Sequence, residues 1–549
     1  MKPILHNISF TLFILLLSMI CYPTFSQVSR GGMPRSITFS MAPDTGNGVE
    51  LEPPQLTQLQ EEDRQQPLPY RFAVNIPVNL DPNNSGNWTT AMDGSLVWRL
   101  SISAPGALAL TLYFDKFRLP EGGRLFVYNP ARTQVLGAFT SANNNLNNSF
   151  ATSLIQGDEL TLEYNTGNAS NLPELHVSEV AYAYRGVSDP RLKTGFGSAG
   201  ACEVNVNCSE GNNWQDIKRG VVRIEVKRGS ATLWCSGSVV NNTSGDYAPY
   251  VLTADHCGKY ATTEDISKWI FYFHYESSGC PNPLFEPGNK SITGAQLKAH
   301  ADVNGSDFFL VLLNQSIPDD YNAYYNGWSR ENIPSPSGVT IHHPQGDIKK
   351  ISTYITPLTT STWSGYSHPS HWRVTWAGTA NGHGVTEGGS SGSPIFDYEG
   401  HLLGTLTGGD SFCDSSSLNL PDYYGKFSYH WDQNGTDSAS VLKYWLDPDS
   451  TGVVKLSGKV VGMEEKKTGL RFALYPNPVQ DMVTLQSAEA GERVRVSLTD
   501  IRGRVLFKRD LTLDGSGNTT LDLSGFEPGI YFVTLTGSDG QVVRKIIKQ

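Results

Sequence analysis

The sequence predicts an all-β molecule built from several domains. Short runs rich in Val, Ile, Thr and aromatic residues recur along most of the chain, separated by Gly, Asn and Pro, while long helical periodicity is scarce. At 549 residues the chain exceeds one ordinary core, so three or four domains are expected. Charged residues make up only 17%, and the formal net charge of −11 favours solubility and argues against nucleic acid as the main partner.

The first segment reads as an export signal. Lys2 gives a positive start, residues 10–20 are an apolar core, and small residues around Ser26 offer a cleavage site. The apolar run is too short for a comfortable membrane span, so residues 1–26 are read as a signal peptide, with a retained anchor as the alternative. Residues 27–70 are polar and Pro/Gln-rich and read as a flexible lead-in. Residues 71–186 form a first β-rich module: 71–76 and 108–114 are strand-like, and Glu121-Gly122-Gly123 is a turn signal. This module carries no pairing of nucleophile and base. A polar, Gly-containing boundary follows over 188–199, with Arg191 and Lys193 in it.

The middle region holds six of the seven cysteines: Cys202, Cys208, Cys235, Cys257, Cys280 and Cys413. An even set in one region of an exported chain implies three disulfides, and a zinc site is the weaker alternative because no Cys-x-x-Cys pair is present. The charged run Glu464 to Lys467 places a linker over 453–467. Residues 468–549 form a last small β module with strand-like runs at 493–498 and 530–535 and a basic end at Arg544, Lys545 and Lys548.

Three segments of the middle region carry chemistry. In the first, the apolar strand Val251-Leu252-Thr253 runs into Ala254-Asp255-His256-Cys257. A His fixed at a strand end suits a general base with a pKa near the working pH. In the second, Gly388-Gly389-Ser390-Ser391-Gly392-Ser393-Pro394 lets the backbone turn sharply. Ser391 is then the nucleophile, and the N–H groups of Gly389 and Ser391 point at the developing oxyanion. In the third, Ser306-Asp307 heads the apolar run 308–313 and supplies a carboxylate to orient the imidazole. Asp255 and Asp302 are alternatives to Asp307. Asp255 would have to curl back on its neighbour, and no apolar strand follows Asp302. The chain order His, Asp, Ser is that of chymotrypsin-type triads and of neither subtilisins nor α/β-hydrolases.

On these residues the region 197–452 resembles the bacterial lysyl endopeptidases, trypsin-like proteases that cleave after lysine. The resemblance also rests on Gly200-Ala201-Cys202, Gly237 to Asn242, Ile341-His342-His343-Pro344, Gly384-Val385-Thr386-Glu387 and Trp445-Leu446-Asp447-Pro448. It implies a double β-barrel over 194–452 with the triad in the cleft between barrels. It also implies the disulfides Cys202–Cys413, Cys208–Cys280 and Cys235–Cys257. The pocket acid of trypsin, six residues before the nucleophile, is Val385 here; the family pattern places it instead at Asp422, with Asp410 as a rival. Gly408 and Gly409 form the edge against which a substrate backbone pairs. Trp363 falls where the family has a Trp near the triad, but the family's partner His is Thr407 here, which puts the stacked pair in question. Ser390 replaces the Asp that trypsin uses on activation. Residues 27–193 are therefore expected to be a propeptide that aids folding and inhibits, with Lys193-Thr194 as a self-cleavage site.

The last module resembles the C-terminal sorting domain of type IX secretion in Bacteroidetes, on Leu474-Tyr475-Pro476-Asn477-Pro478, Leu498 to Gly503 and Phe526 to Tyr531. It implies a small β-sandwich that addresses the protein through the outer membrane. The sequence thus predicts a secreted or surface-held serine endopeptidase with lysine preference. Arginine or glutamate preference is the enzymatic alternative, and an adhesin on an inactive protease fold the non-enzymatic one. No metal or cofactor is expected. The expected partners are protein or peptide substrates and the type IX machinery, and the chain is expected to act as a monomer.

Overall fold

The computed structural model describes residues 27–42, 48–66, 69–167, 172–187, 197–363, 365, 367–460, 472–487, 493–500, 504–515, 517–537 and 540–549. The signal segment 1–26, the Lys193-Thr194 boundary and the charged run 464–467 lie outside the described residues. The chain divides into two compact units, Met1–Lys459 and Val460–Gln549.

In the first unit, the N-terminal residues build two facing sheets. One contains Leu96–Ser103, Glu159–Thr166 and Arg124–Tyr128; the other contains Tyr70–Leu80, Glu174–Ala183 and Ala109–Arg118. Alternation along these strands sends Leu100, Ile102, Leu110, Leu112, Leu160, Leu162 and Val180 into one shared core. Such a side chain contributes roughly 1.5–3 kcal/mol when fully buried, which gives this module its own hydrophobic stabilisation.

The first barrel follows from pairings that return on themselves. Strand Val221–Arg228 pairs with Ala231–Val240, which pairs with Tyr250–Thr253, which pairs with Phe308–Leu313. Strand 308–313 then pairs with Ala295–Ala301. Gly294, at φ +86°, turns that strand back into Lys290–Thr293, which pairs with Ile270–Phe273 and through it with 221–228. The continuous apolar character of 308–313 reflects a strand buried on both faces, and 221–226 is equally buried although it carries Arg223 and Glu225. The second barrel is formed by Lys350–Tyr354, Gly338–His342, Pro394–Asp397, Leu402–Gly409, Asp422–Lys426 and His371–Val374, in that spatial order. The disulfides are Cys202–Cys413, Cys208–Cys280 and Cys235–Cys257.

Two features depart from the sequence reading. The described part of the 27–70 lead-in is packed rather than loose. Gln27 is buried, donates to the Ala151 carbonyl at 2.7 Å and accepts from the Ser153 N–H at 3.1 Å. Helix Leu56–Gln65 is tied down by Asp63, which pairs with Arg71 and Arg185. Polar composition signals a solvated segment only when the amides and carboxylates lack protein partners, and here they have them. Second, the N-terminal module shares a sheet with the first barrel, because Tyr70–Leu80 pairs antiparallel with Ala231–Val240.

The second unit is a sandwich of a three-stranded sheet (Phe472–Tyr475, Met482–Ser487, Asn518–Asp522) and a four-stranded one (Val505–Thr512, Arg493–Asp500, Gly529–Gly537, Gly540–Lys548). Its core is aliphatic, with Val483, Leu485, Val494, Val496, Leu498, Val533 and Leu535.

Candidate active site

Strand 250–253 ends in a single helical turn, Asp255–Gly258, that carries His256. The Cys235–Cys257 disulfide ties this turn to the neighbouring strand. Closing a loop of this size stabilises by about 3 kcal/mol. Asp307 sits at φ +56°, a left-handed conformation that non-glycine residues adopt at some energetic expense, and is completely buried. That conformation aims its carboxylate at His256: Oδ2 lies 2.8 Å from Nδ1, and Oδ1 accepts the His256 backbone N–H at 3.0 Å. Burial alone would push the Asp307 pKa up, but the charge and hydrogen bonds of His256, with a hydrogen bond from Thr407, outweigh it and hold the carboxyl ionised. For His256 burial acts downward; the charge and hydrogen bond of Asp307 prevail and raise the imidazole above its ordinary value.

Ser391 lies in the turn between Gly389 (φ +93°) and Gly392 (φ +77°), which glycine adopts without strain. A Cβ at Gly392 would stand 2.0 Å from Thr253 Oγ1 and 2.7 Å from the Ala254 nitrogen, so this turn is pressed against the residues that lead into His256. The Ser391 carbonyl accepts the Ser236 N–H at 2.8 Å. The N–H groups of Gly389 and Ser391 donate to nothing among the described residues, leaving two donors free at one turn. His256 Nε2 is buried and has no hydrogen-bond partner among the described residues, so no hydrogen bond joins it to Ser391 Oγ. Catalytic hydrogen bonds are commonly long before substrate arrives. Ser390 does not act as a carboxylate substitute: its hydroxyl lies 2.8 Å from His342 Nδ1, which holds the loop from behind.

Asp422 is fully buried. Its Oδ2 accepts from Trp376 Nε1 at 2.6 Å, Thr386 Oγ1 at 2.8 Å and Ser411 Oγ at 2.5 Å, and its Oδ1 from the Ser411 N–H at 3.3 Å. Burial pushes its pKa up, against the pull of these donors. Thr386 adjoins Val385, so the carboxylate enters from strand 422–426 near the position that trypsin fills from the nucleophile's own loop. A Cβ on Gly409 would fall 2.1 Å from Asp422 Oδ1, which explains glycine there. Gly408 and Gly409 pair with Tyr423 and Asp422 on one side, while Gly409 and Asp410 are exposed. Asp410 therefore faces solvent rather than a pocket.

Four polar residues take a place at the site for which the sequence reading assigned them no role, Thr386 among them although it lies in the Gly384–Glu387 stretch. Trp376, Thr386 and Ser411 come from three separate segments. The fourth, His371, occupies the place left open by Thr407: its ring stacks on Trp363 at 6.0 Å, and its Nε2 lies 3.1 Å from Thr407 Oγ1. Burial pushes His371 down to about 4, with Asp307 acting in the opposite sense, so its ring is neutral and donates to Thr407 while Thr407 donates to Asp307. A line of contacts thus runs Trp363, His371, Thr407, Asp307, His256.

Among the described residues, two clusters approach metal-ligand spacing. Glu203, Glu387 and Cys413 form one, but Cys413 is in a disulfide and offers no thiolate. Asp397, Glu399 and His401 form the other, where Lys455 neutralises Glu399.

Residues 196–425 match the family model of the lysyl endopeptidase C-terminal domain, and residues 473–549 match that of the secretion system C-terminal sorting domain. A lysyl endopeptidase of Pseudomonas aeruginosa is 28% identical over 359 residues, covering 62% of this chain and 75% of that protein. A β-agarase A of Zobellia galactanivorans is 29% identical over 113 residues, 20% of each chain. Among solved structures, the protease Anisep from Arthrobacter nicotinovorans is 19% identical with a TM-score of 0.28, covering 38% of this chain and 90% of that one.

Proposed function

We propose that this chain, a serine endopeptidase exported by way of its sorting domain, hydrolyses peptide bonds on the carboxyl side of lysine through Ser391, His256 and Asp307. The observation that carries the lysine preference is the buried Asp422 carboxylate, held by three side-chain donors beside the nucleophile's loop. A buried carboxylate without a counter-charge is costly, and a substrate ammonium removes that cost. A glutamate side chain would instead set two carboxylates face to face.

In the reaction, His256 takes the Ser391 proton as the hydroxyl attacks the carbonyl carbon. The oxyanion is held by the free N–H groups of Gly389 and Ser391. His256 then passes its proton to the leaving amine, and water repeats the sequence on the acyl-enzyme. Asp307 keeps Nδ1 protonated and supports the imidazolium.

The test is mass spectrometry of a denatured protein digested by the chain, scoring the residue before each cut. Lysine should precede nearly all cuts, and Asp422→Asn should lower kcat/KM on lysyl substrates by two or more orders of magnitude. Cuts after glutamate, or an unchanged Asp422→Asn, would refute the preference.

Residues 27–193 are a propeptide removed at Lys193-Thr194. N-terminal sequencing of the secreted form checks this: a mature start within 187–202 is expected, and a start elsewhere contradicts it.

A further inference from the structure

We infer that strand Tyr70–Leu80 fills the leaving-group half of the catalytic cleft while leaving the acyl half open, so that the N-terminal module blocks substrates by excluding the peptide beyond the scissile bond. The inference rests on the protease reading above.

The cleft has two sides around Ser391. The side that takes the lysine must contain Asp422 and the Gly408–Gly409 edge, where Gly409 and Asp410 are exposed. The other side is strand 231–240, whose Ser236 donates to the Ser391 carbonyl at 2.8 Å and whose Cys235 is bonded to the residue after His256. The peptide on the carboxyl side of the cut has to run along this second side.

In the structure that edge is taken. Tyr70 is paired with Trp234, Arg71 with Leu233, Ala73 with Thr232 and Val74 with Ala231. A main-chain pairing of this kind is how an extended substrate would bind. The strand enters close to the nucleophile: a Cβ on Gly388, three residues before Ser391, would lie 2.7 Å from the Tyr70 ring. It then leads away from it. Phe72 stacks on Trp234 at 4.0 Å and 7°, and both rings are fully buried. Farther along, Asn75 caps the hairpin: its N–H donates to the Ser230 carbonyl at 2.9 Å, and its Oδ1 accepts from Thr232 Oγ1 at 2.7 Å. The segment is therefore anchored to the barrel by register, an aromatic stack and a side-chain clamp, whereas among the described residues Gly409 pairs only with Asp422 and stays exposed.

The test uses the full-length chain before processing, verified as one band. Two ligands are compared: a short peptide ending in lysinal, which has nothing beyond the reacting carbonyl, and a peptide substrate extended four residues past a lysine. The intact chain should bind the lysinal peptide reversibly at Ser391 and cleave the extended peptide at least tenfold more slowly than Phe72→Ala does. Amide hydrogen exchange gives a second readout, independent of whether that variant keeps its module folded. Amides 231–234 should be protected in the intact chain and stay protected when the lysinal peptide binds. If the intact chain excludes both ligands, or cleaves the extended one as fast as Phe72→Ala, or loses protection at 231–234 on lysinal binding, the half-cleft block is overturned. Failure of every form to bind the lysinal peptide would instead overturn the protease reading.

Discussion

At the residue scale, the site depends on one buried carboxylate being kept charged. Asp307 is denied water and compensated by His256 and Thr407, and Thr407 is in turn oriented by His371. Replacing Thr407 by Val removes a donor from the ionised Asp307. The carboxylate becomes more basic and pulls the His256 pKa further above its ordinary value. A general base must be neutral, so the acid limb of kcat/KM should move to higher pH. Activity near neutrality should fall on the order of tenfold, as expected for a hydrogen bond to a charged group. A pH–rate profile of Thr407→Val checks this; an unshifted limb would show that Thr407 only fills space. The contact of His256 with Asp307 and the glycine turn at Ser391 were legible because each residue lies in a short stretch whose neighbours announce its geometry: a strand end, a strand head and a glycine turn. His371 was not, because nothing around it in the sequence marks it, and its role exists only where strand 371–374 reaches Trp363 and Thr407. The same holds for the Asp422 donors, which come from three segments that meet only in three dimensions.

At the element scale, the junction between the N-terminal module and the first barrel is polar in an unusual place. Glu225 of strand 221–228 is fully buried and accepts from Tyr113 of the module at 3.2 Å and from Tyr272 of the barrel at 2.7 Å. Burial pushes its pKa up to about 7, against the pull of these hydroxyls and of Arg223. The folded chain therefore keeps a proton that the unfolded chain releases nearer 4.5. This contribution is complete below the unfolded value and is lost as pH rises through about 7, a change on the order of 3 kcal/mol. Denaturant unfolding of the Ser391→Ala chain should show lower stability at pH 8 than at pH 5, with Glu225→Gln flattening the difference. Equal slopes in both proteins would contradict it. The strands themselves were legible in part: the strand-like runs 108–114, 308–313 and 530–535 fall in the strands Ala109–Arg118, Phe308–Leu313 and Gly529–Gly537. Which strand pairs with which was not, because pairings such as Tyr70 with Trp234 join residues far apart in the chain and leave no local pattern.

At the scale of the whole molecule, each part answers a separate physical need. The disulfides and two barrels hold side chains from distant segments together, His256 against Asp307 and Asp422 against Trp376, Thr386 and Ser411. The N-terminal module covers an edge that would otherwise be an exposed strand, and the C-terminal sandwich matches a sorting domain. The sequence reading of 27–70 as loose failed because composition does not reveal whether a polar side chain finds a protein partner. The central claim is that Ser391, activated by His256, takes substrates through a pocket ending in Asp422. It is tested most directly by treating the chain with activated phosphonates bearing a lysyl or a glutamyl side chain and locating the adduct by peptide mass spectrometry. One adduct is expected, on Ser391, from the lysyl reagent only, abolished in His256→Ala. Labelling elsewhere, equal labelling by the glutamyl reagent, or undiminished labelling of His256→Ala would contradict it.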